Sequence, residues 1–107
     1  MVKKTIPKNV KKEIDDFVRV LRKDNLPIRQ IILFGSFAKG TSHRWSDIDI
    51  CVISPRFRNA WEATRYLWSK RPRDFGLTIE PIGMRPEDLK DATSLSEEIR
   101  KTGVRVY

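Results

Sequence analysis

The sequence predicts an α/β (α+β) domain, a small mixed β-sheet with helices packed on one face. Three observations carry that expectation. Apolar residues recur at helical spacing and then at strand spacing, and the two patterns alternate along the chain. The apolar strand runs are short and β-branched, as in buried central strands. The length, 107 residues, suits one domain with one core, so residues 1–107 are read as a single unit.

Pro7 and Asn9 signal the start of a first helix. Val10, Ile14, Phe17, Val18 and Leu21 share one face of it, and Asn25 and Pro27 close it. Gln30 to Phe34 (QIILF) is apolar on both faces and reads as the first strand, which Gly35 and Ser36 interrupt abruptly. Residues 37–46, with Gly40, Thr41, Ser42 and Ser46, read as a short helical turn and a loop. From Asp47 to Ile53 the alternation is strict: Asp47, Asp49 and Cys51 face one way, and Ile48, Ile50 and Val52 the other. Ser54 and Pro55 end that strand. A second helix follows, with Phe57, Trp61, Thr64, Leu67 and Trp68 as its expected core stripe, until residues 71–74 (RPRD) break it. A third strand covers 77–82, where Pro81 argues for a sheet edge or a bulge. A helical region from Pro86, a last helix over Ser96 to Lys101 ending at Gly103, and a terminal strand from Val104 to Tyr107 complete the order.

Composition removes several classes of function. The longest apolar stretch, Ile31 to Phe34, is far short of the ~20 residues a membrane helix needs. The N-terminus has no apolar run behind its lysines, so no signal peptide is expected. Cys51 is the only cysteine, which excludes an internal disulfide and suits a reducing cytoplasm. Twenty-two basic against fourteen acidic side chains leave +8, concentrated in residues 1–24 (eight and four) and 56–75 (six and two). Such a field attracts nucleic acid, nucleotides or an acidic protein, and it also serves simple solubility. Basic residues do not interleave with aromatics in an RNA-binding pattern, so nucleic acid is the less favoured partner.

Two neighbouring features carry chemistry. Gly35 and Ser36 lie at the C-terminal end of a buried strand, just before a short helix. A glycine there lets the backbone turn sharply and lets a phosphate approach the amides, and the serine hydroxyl adds a hydrogen bond. Alone, such a pair is usually an ordinary turn. The second feature is Asp47-Ile48-Asp49 inside a strand, where aspartate is disfavoured. Two residues apart on one face, their Cα atoms are separated by ~6.6 Å and their charges repel. Divalent cations held between them would remove that repulsion; a half-exposed acidic strand face is the plainer alternative. Glu80, mid-strand among Leu77, Ile79 and Ile82, is the expected third carboxylate, whereas Asp74 falls in a loop between Pro72 and Gly76.

Gly35-Ser36, ten intervening residues and Asp47-Ile48-Asp49 resemble the signature of the DNA polymerase β-like nucleotidyltransferase superfamily. The stretch 35–40 (GSFAKG) followed by 46–50 (SDIDI) is similar to the minimal nucleotidyltransferase family in particular. The short length and the ending from Glu97 to Tyr107 look like that family too, so the resemblance spans roughly residues 10–107. Two positions depart from its pattern. Lys39 stands where arginine is usual, keeping the charge but losing bidentate phosphate binding. Glu80 stands where aspartate is common, one methylene longer, which bears on metal geometry and on the position of a general base.

The resemblance implies a polymerase β-like fold and transfer of a nucleoside monophosphate from ATP to a hydroxyl, with release of pyrophosphate. It implies that Asp47 and Asp49 bind two Mg²⁺ ions, with Glu80 completing one metal site and accepting the hydroxyl proton. Gly35, Ser36 and Lys39 are the implied nucleotide-binding residues. It further implies an antitoxin paired with an all-helical HEPN-type protein, whose tyrosine receives AMP. Two alternatives stand beside it: a binding module that silences its partner by occlusion, and transfer to RNA or a small molecule. A helical partner is expected on the open aspartate face, with Tyr66, Arg58, Arg65 and Arg73 as contacts. His43 reads as a solvated loop residue, Cys51 as a buried filler, and Trp45 as loop packing or a base-stacking ring.

Overall fold

The computed structural model describes residues 6–42, 47–71 and 78–107. The elements run α1 (Lys8–Lys23), β1 (Gln30–Phe34), α2 (Ser36–Lys39), β2 (Ile48–Ile53), α3 (Ala60–Ser69), β3 (Ile79–Met84), a 3₁₀ turn (Pro86–Lys90), α4 (Ser94–Thr102) and β4 (Val104–Arg105). The four strands form one mixed sheet in the order β3-β2-β1-β4. β1 is antiparallel to both β2 and β4, and β2 is parallel to β3, with α3 in the crossover.

The first helix forms and stops as its sequence requires. Val10, Ile14, Phe17, Val18 and Leu21 are all buried, and Asn25 adopts the left-handed φ of 60° that terminates the helix. These side chains join Ile31, Leu33, Ile48, Ile50 and Val52 of the sheet, together with Ala63 and Leu67 of α3, in the larger of two cores. The two longest helices therefore share one face of the sheet. The other face is not bare: Ile99 of α4 covers Ile32, Phe34, Cys51, Ile53 and Met84 in a second, smaller core. Only the end of that face beyond Cys51 is left for polar side chains.

Pro81 sits on an edge strand, as its missing amide requires. α3 closes that edge with side chains. The Trp68 indole N–H donates to the Pro81 carbonyl at 3.0 Å, and the Gly83 amide donates to the Thr64 hydroxyl at 3.3 Å. An exposed row of ladder groups is thereby withdrawn from intermolecular pairing.

The expected core stripe of the second helix is corrected here. Phe57 is buried but precedes the helix, while Trp61 is 71% exposed and Trp68 43% exposed. The buried residues of α3 are Ala63 and Leu67. The cause is close approach: a Cβ placed on Gly83 would lie 2.5 Å from Ala63 Cβ, 2.9 Å from Phe57 Cε2 and 3.1 Å from Leu67 Cδ1. The bare backbone of Gly83 takes Ala63, Leu67 and the Phe57 ring edge there, and Trp61 and Trp68 face outward. Tyr66, expected as a surface contact, is instead half-buried in the seam between α1 and α3. Its hydroxyl donates to Asp24, its ring lies 6.4 Å from that of Phe57, and burial together with Asp24 pushes its pKa up to about 12.

The α3–β3 contact yields a stability prediction. Gly83→Val should lower the free energy of unfolding by about 1–3 kcal/mol, the usual cost of overpacking. Trp61→Ala should change it by less than about 0.5 kcal/mol, as at other exposed positions. Urea titration of the two variants distinguishes these outcomes.

Candidate functional site

The site lies at the open end of the second sheet face. In the ladder, Asp49 of β2 is paired with Phe34 of β1 on one side and with Glu80 of β3 on the other. Register alone therefore sets Glu80 beside Asp49 on the same face. Asp47, just before β2, is exposed, whereas Asp49 and Glu80 are half-buried. Asp47 and Asp49 both lie near enough to Glu80 for their charges to act on its carboxyl, so the structure brings the three acids expected from the sequence to one region.

Electrostatics follow from that crowding. Burial, and then the charges of Asp47 and Asp49, raise the pKa of Glu80 above its ordinary value of 4.5. Burial, and then Asp47, raise that of Asp49, while the hydrogen bond from Glu80 partly offsets the rise. Cys51, two residues along the same face, is fully buried, and its thiol is pushed up to about 12. It is a filler and carries no nucleophile, as expected.

Gly35 is the hinge of the arrangement. It follows β1 with φ 72° and ψ −153°, a conformation open essentially to glycine alone. A Cβ there would stand 2.2 Å from Asp49 Oδ2. The missing side chain thus leaves room for the Asp49 carboxylate and turns the chain into α2 beside it. The Ala38 and Lys39 amides return to the Gly35 carbonyl at 3.2 and 3.1 Å. The preceding first-turn amides, of Ser36 and Phe37, have no intrahelical acceptor.

Lys39 is placed at the rim, where its ammonium lies 2.7 Å from Glu98 Oε1 of α4. Glu98 is the residue that sequence reasoning missed. Its charge also raises the Asp49 pKa, which makes it a fourth acid beside the cluster. The sequence puts Glu98 in the last helix, over Ser96 to Lys101, and gives no means of telling which end of which face that helix would cover. Arg58 and Arg65, expected around the aspartates, are exposed on the α3 side, where Ala63 and Leu67 join the opposite core. His43, Trp45, Ser46, Pro72, Arg73, Asp74, Gly76 and Leu77 lie outside the described residues.

The raised acids make a sign-specific prediction. A carboxyl whose folded pKa exceeds its unfolded value favours the fold below the unfolded value, 4.5 for Glu80, and that contribution is lost as pH rises through the folded value. At neutral pH the ionised cluster therefore costs stability. Glu80→Gln should raise Tm by a few degrees at pH 7 and leave it nearly unchanged at pH 4, as thermal unfolding in metal-free buffer will show.

Comparison with known proteins gives this site its relatives. A nucleotidyltransferase domain model matches residues 12–105. The protein adenylyltransferase MntA of Shewanella oneidensis is 43% identical over 95 residues, which are 84% of this chain and 61% of that protein. The chain thus spans about three-fifths of that relative's length. A candidate nucleotidyltransferase from Sulfolobus solfataricus superposes with a TM-score of 0.67 at 20% identity, over 92% of this chain and 80% of the other, and shares the fold. A toxin–antitoxin structure with AMP-PNP superposes with a TM-score of 0.54 at 28% identity, over 91% of this chain and 72% of the other. With nearly its whole length matched by that domain model, the chain belongs to the nucleotidyltransferase family.

Proposed function

We propose that this domain transfers AMP from ATP to a hydroxyl of a protein partner, most simply a tyrosine of a helical, HEPN-type toxin that it neutralises. One observation carries the reading: the ladder register that sets Glu80 beside Asp49, with Asp47 in reach and the Gly35 turn against them. The likeness to MntA supports adenylyl transfer, and the neighbour with AMP-PNP supports an adenine nucleotide as substrate and a toxin as partner.

The donor set suits Mg²⁺ by its chemistry, since all three side chains offer hard carboxylate oxygens. Among the described residues, no three His, Cys, Asp or Glu side chains already stand at ion-cage spacing. The carboxyls crowd and repel one another, a cost that a bound cation would relieve. Asp47, Asp49 and Glu80 are the residues that would hold two Mg²⁺ ions, which would supply charge neutralisation for the triphosphate.

The chain's own groups take defined parts. The Ser36 and Phe37 amides and the Ser36 hydroxyl bind the terminal phosphates, where the tight Gly35 turn lets them approach. Glu80, set beside Asp49 by the ladder, is the carboxylate that accepts the proton of the incoming hydroxyl. The hydroxyl oxygen bonds to the α-phosphorus, the α–β phosphoanhydride bond breaks, and pyrophosphate leaves with the bonding electrons. Lys39 must part from Glu98 to reach a phosphate, so the ion pair holds that cation at the rim until a more negative ligand arrives.

Incubation with ATP, Mg²⁺ and the protein encoded by the neighbouring gene should add one or a few units of about 329 Da to that partner, the mass of AMP joined with loss of pyrophosphate. Intact-mass spectrometry reads this directly. Asp47→Asn with Asp49→Asn should abolish the additions. A partner that is silenced yet unmodified by the wild-type chain would establish occlusion and remove the catalytic assignment.

A further inference from the structure

We infer that the exposed face of α3, centred on Trp61, Arg65 and Trp68, is the docking surface for the acceptor protein. The inference rests on the proposed transfer reaction and adds where the acceptor binds. Positions 61, 65 and 68 are four and three residues apart, so the three side chains form one stripe along the helix. Trp61 is 71% exposed and Trp68 43% exposed, and Arg65 lies on the surface between them. Two tryptophans on one exposed helical face are unusual for surface chemistry, because each leaves a large apolar ring in water. Tryptophan and arginine together are the composition of energetic centres in protein interfaces.

The stripe also points toward the site. The Trp68 indole holds the Pro81 carbonyl on the outer edge of β3, and Glu80 is the adjacent residue, turned to the carboxylate face. A protein seated on the stripe and straddling that edge brings a side-chain hydroxyl to Glu80 without crossing α4. The Trp61 end of the helix is the farther one, since Thr64 already meets Gly83, beyond Pro81.

Charge selects the occupant. Arg65 lies exposed within the stripe, and Arg71 stacks its guanidinium 4.2 Å over the Trp68 ring. The complementary partner is a protein surface carrying acidic groups around an apolar centre. Arg71 already covers one face of the Trp68 ring, which leaves less of it for a stacking base.

Trp61→Ala and Arg65→Glu test the assignment, because neither side chain holds the sheet edge as Trp68 does. With the neighbouring-gene protein as acceptor, each should raise both its Kd and its KM at least tenfold. Each should retain kcat at saturating acceptor, the Kd for Mg²⁺-ATP and the Tm. Kd is measured by titration with the catalytically dead Asp47→Asn/Asp49→Asn chain as background, so docking is read even where no transfer occurs. An unchanged Kd in both variants overturns the docking surface while leaving the transfer reaction standing. A complex that forms normally but yields no AMP addition with the wild-type chain removes the reaction and leaves the surface. No complex with the wild-type chain, or loss of RNA binding in place of protein binding, overturns the inference.

Discussion

The open end of the sheet depends on one contact, the Asp49 carboxylate lying against a residue that has no side chain. Asp49 Oδ2 occupies the space in which a Cβ at Gly35 would stand. Three consequences follow from it. β1 stops and α2 starts within one residue, the first-turn amides of α2 are brought beside the carboxylates, and the Asp49 side chain finds room on the face it shares with Glu80. A β-carbon at position 35 would disturb all three together, since both the backbone conformation and the space forbid it.

The second determinant is uncompensated negative charge. Asp47, Asp49 and Glu80 crowd together, with Glu98 near enough to raise Asp49 further. In isolation such a cluster works against folding. The fold tolerates it because the strands beneath are secured elsewhere: on one face by α1 and α3, on the other by Ile99 over Cys51 and Ile53. Stability is thus supplied at one end of the sheet and given up at the other, where ligand binding can recover it. Lys39 offsets part of the charge through Glu98, in a position from which it can also swing to a phosphate.

How much of this the sequence disclosed depends on whether a signal was local. Strict alternation from Asp47 to Ile53 puts the aspartates and Cys51 on one face; Asp49 and Cys51 lie there, and Asp47 stands just before the strand. Pro81 marked an edge strand because its missing amide is a local fact. The convergence of Glu80 was legible only through the expectation of a third acid; the parallel register that delivers it is tertiary. The tryptophans were misread for the same reason. An amphipathic helix carrying both large and small apolar residues offers two faces, and the choice fell to Gly83 on another element, whose bare backbone draws in Ala63 and Leu67. Glu98 gave no signal at all, because its proximity to Asp49 arises from where α4 crosses the sheet.

The most direct test of the account is calorimetric titration of the wild-type chain with AMP-PNP, with and without Mg²⁺, in the absence of any partner. If three crowded carboxylates beside a phosphate-accepting turn are the core of the site, AMP-PNP should bind measurably with Mg²⁺. In EDTA, where the anionic ligand meets only anionic side chains, affinity should fall at least tenfold. Equal binding in both conditions would place the nucleotide away from Asp47, Asp49 and Glu80 and would contradict the account.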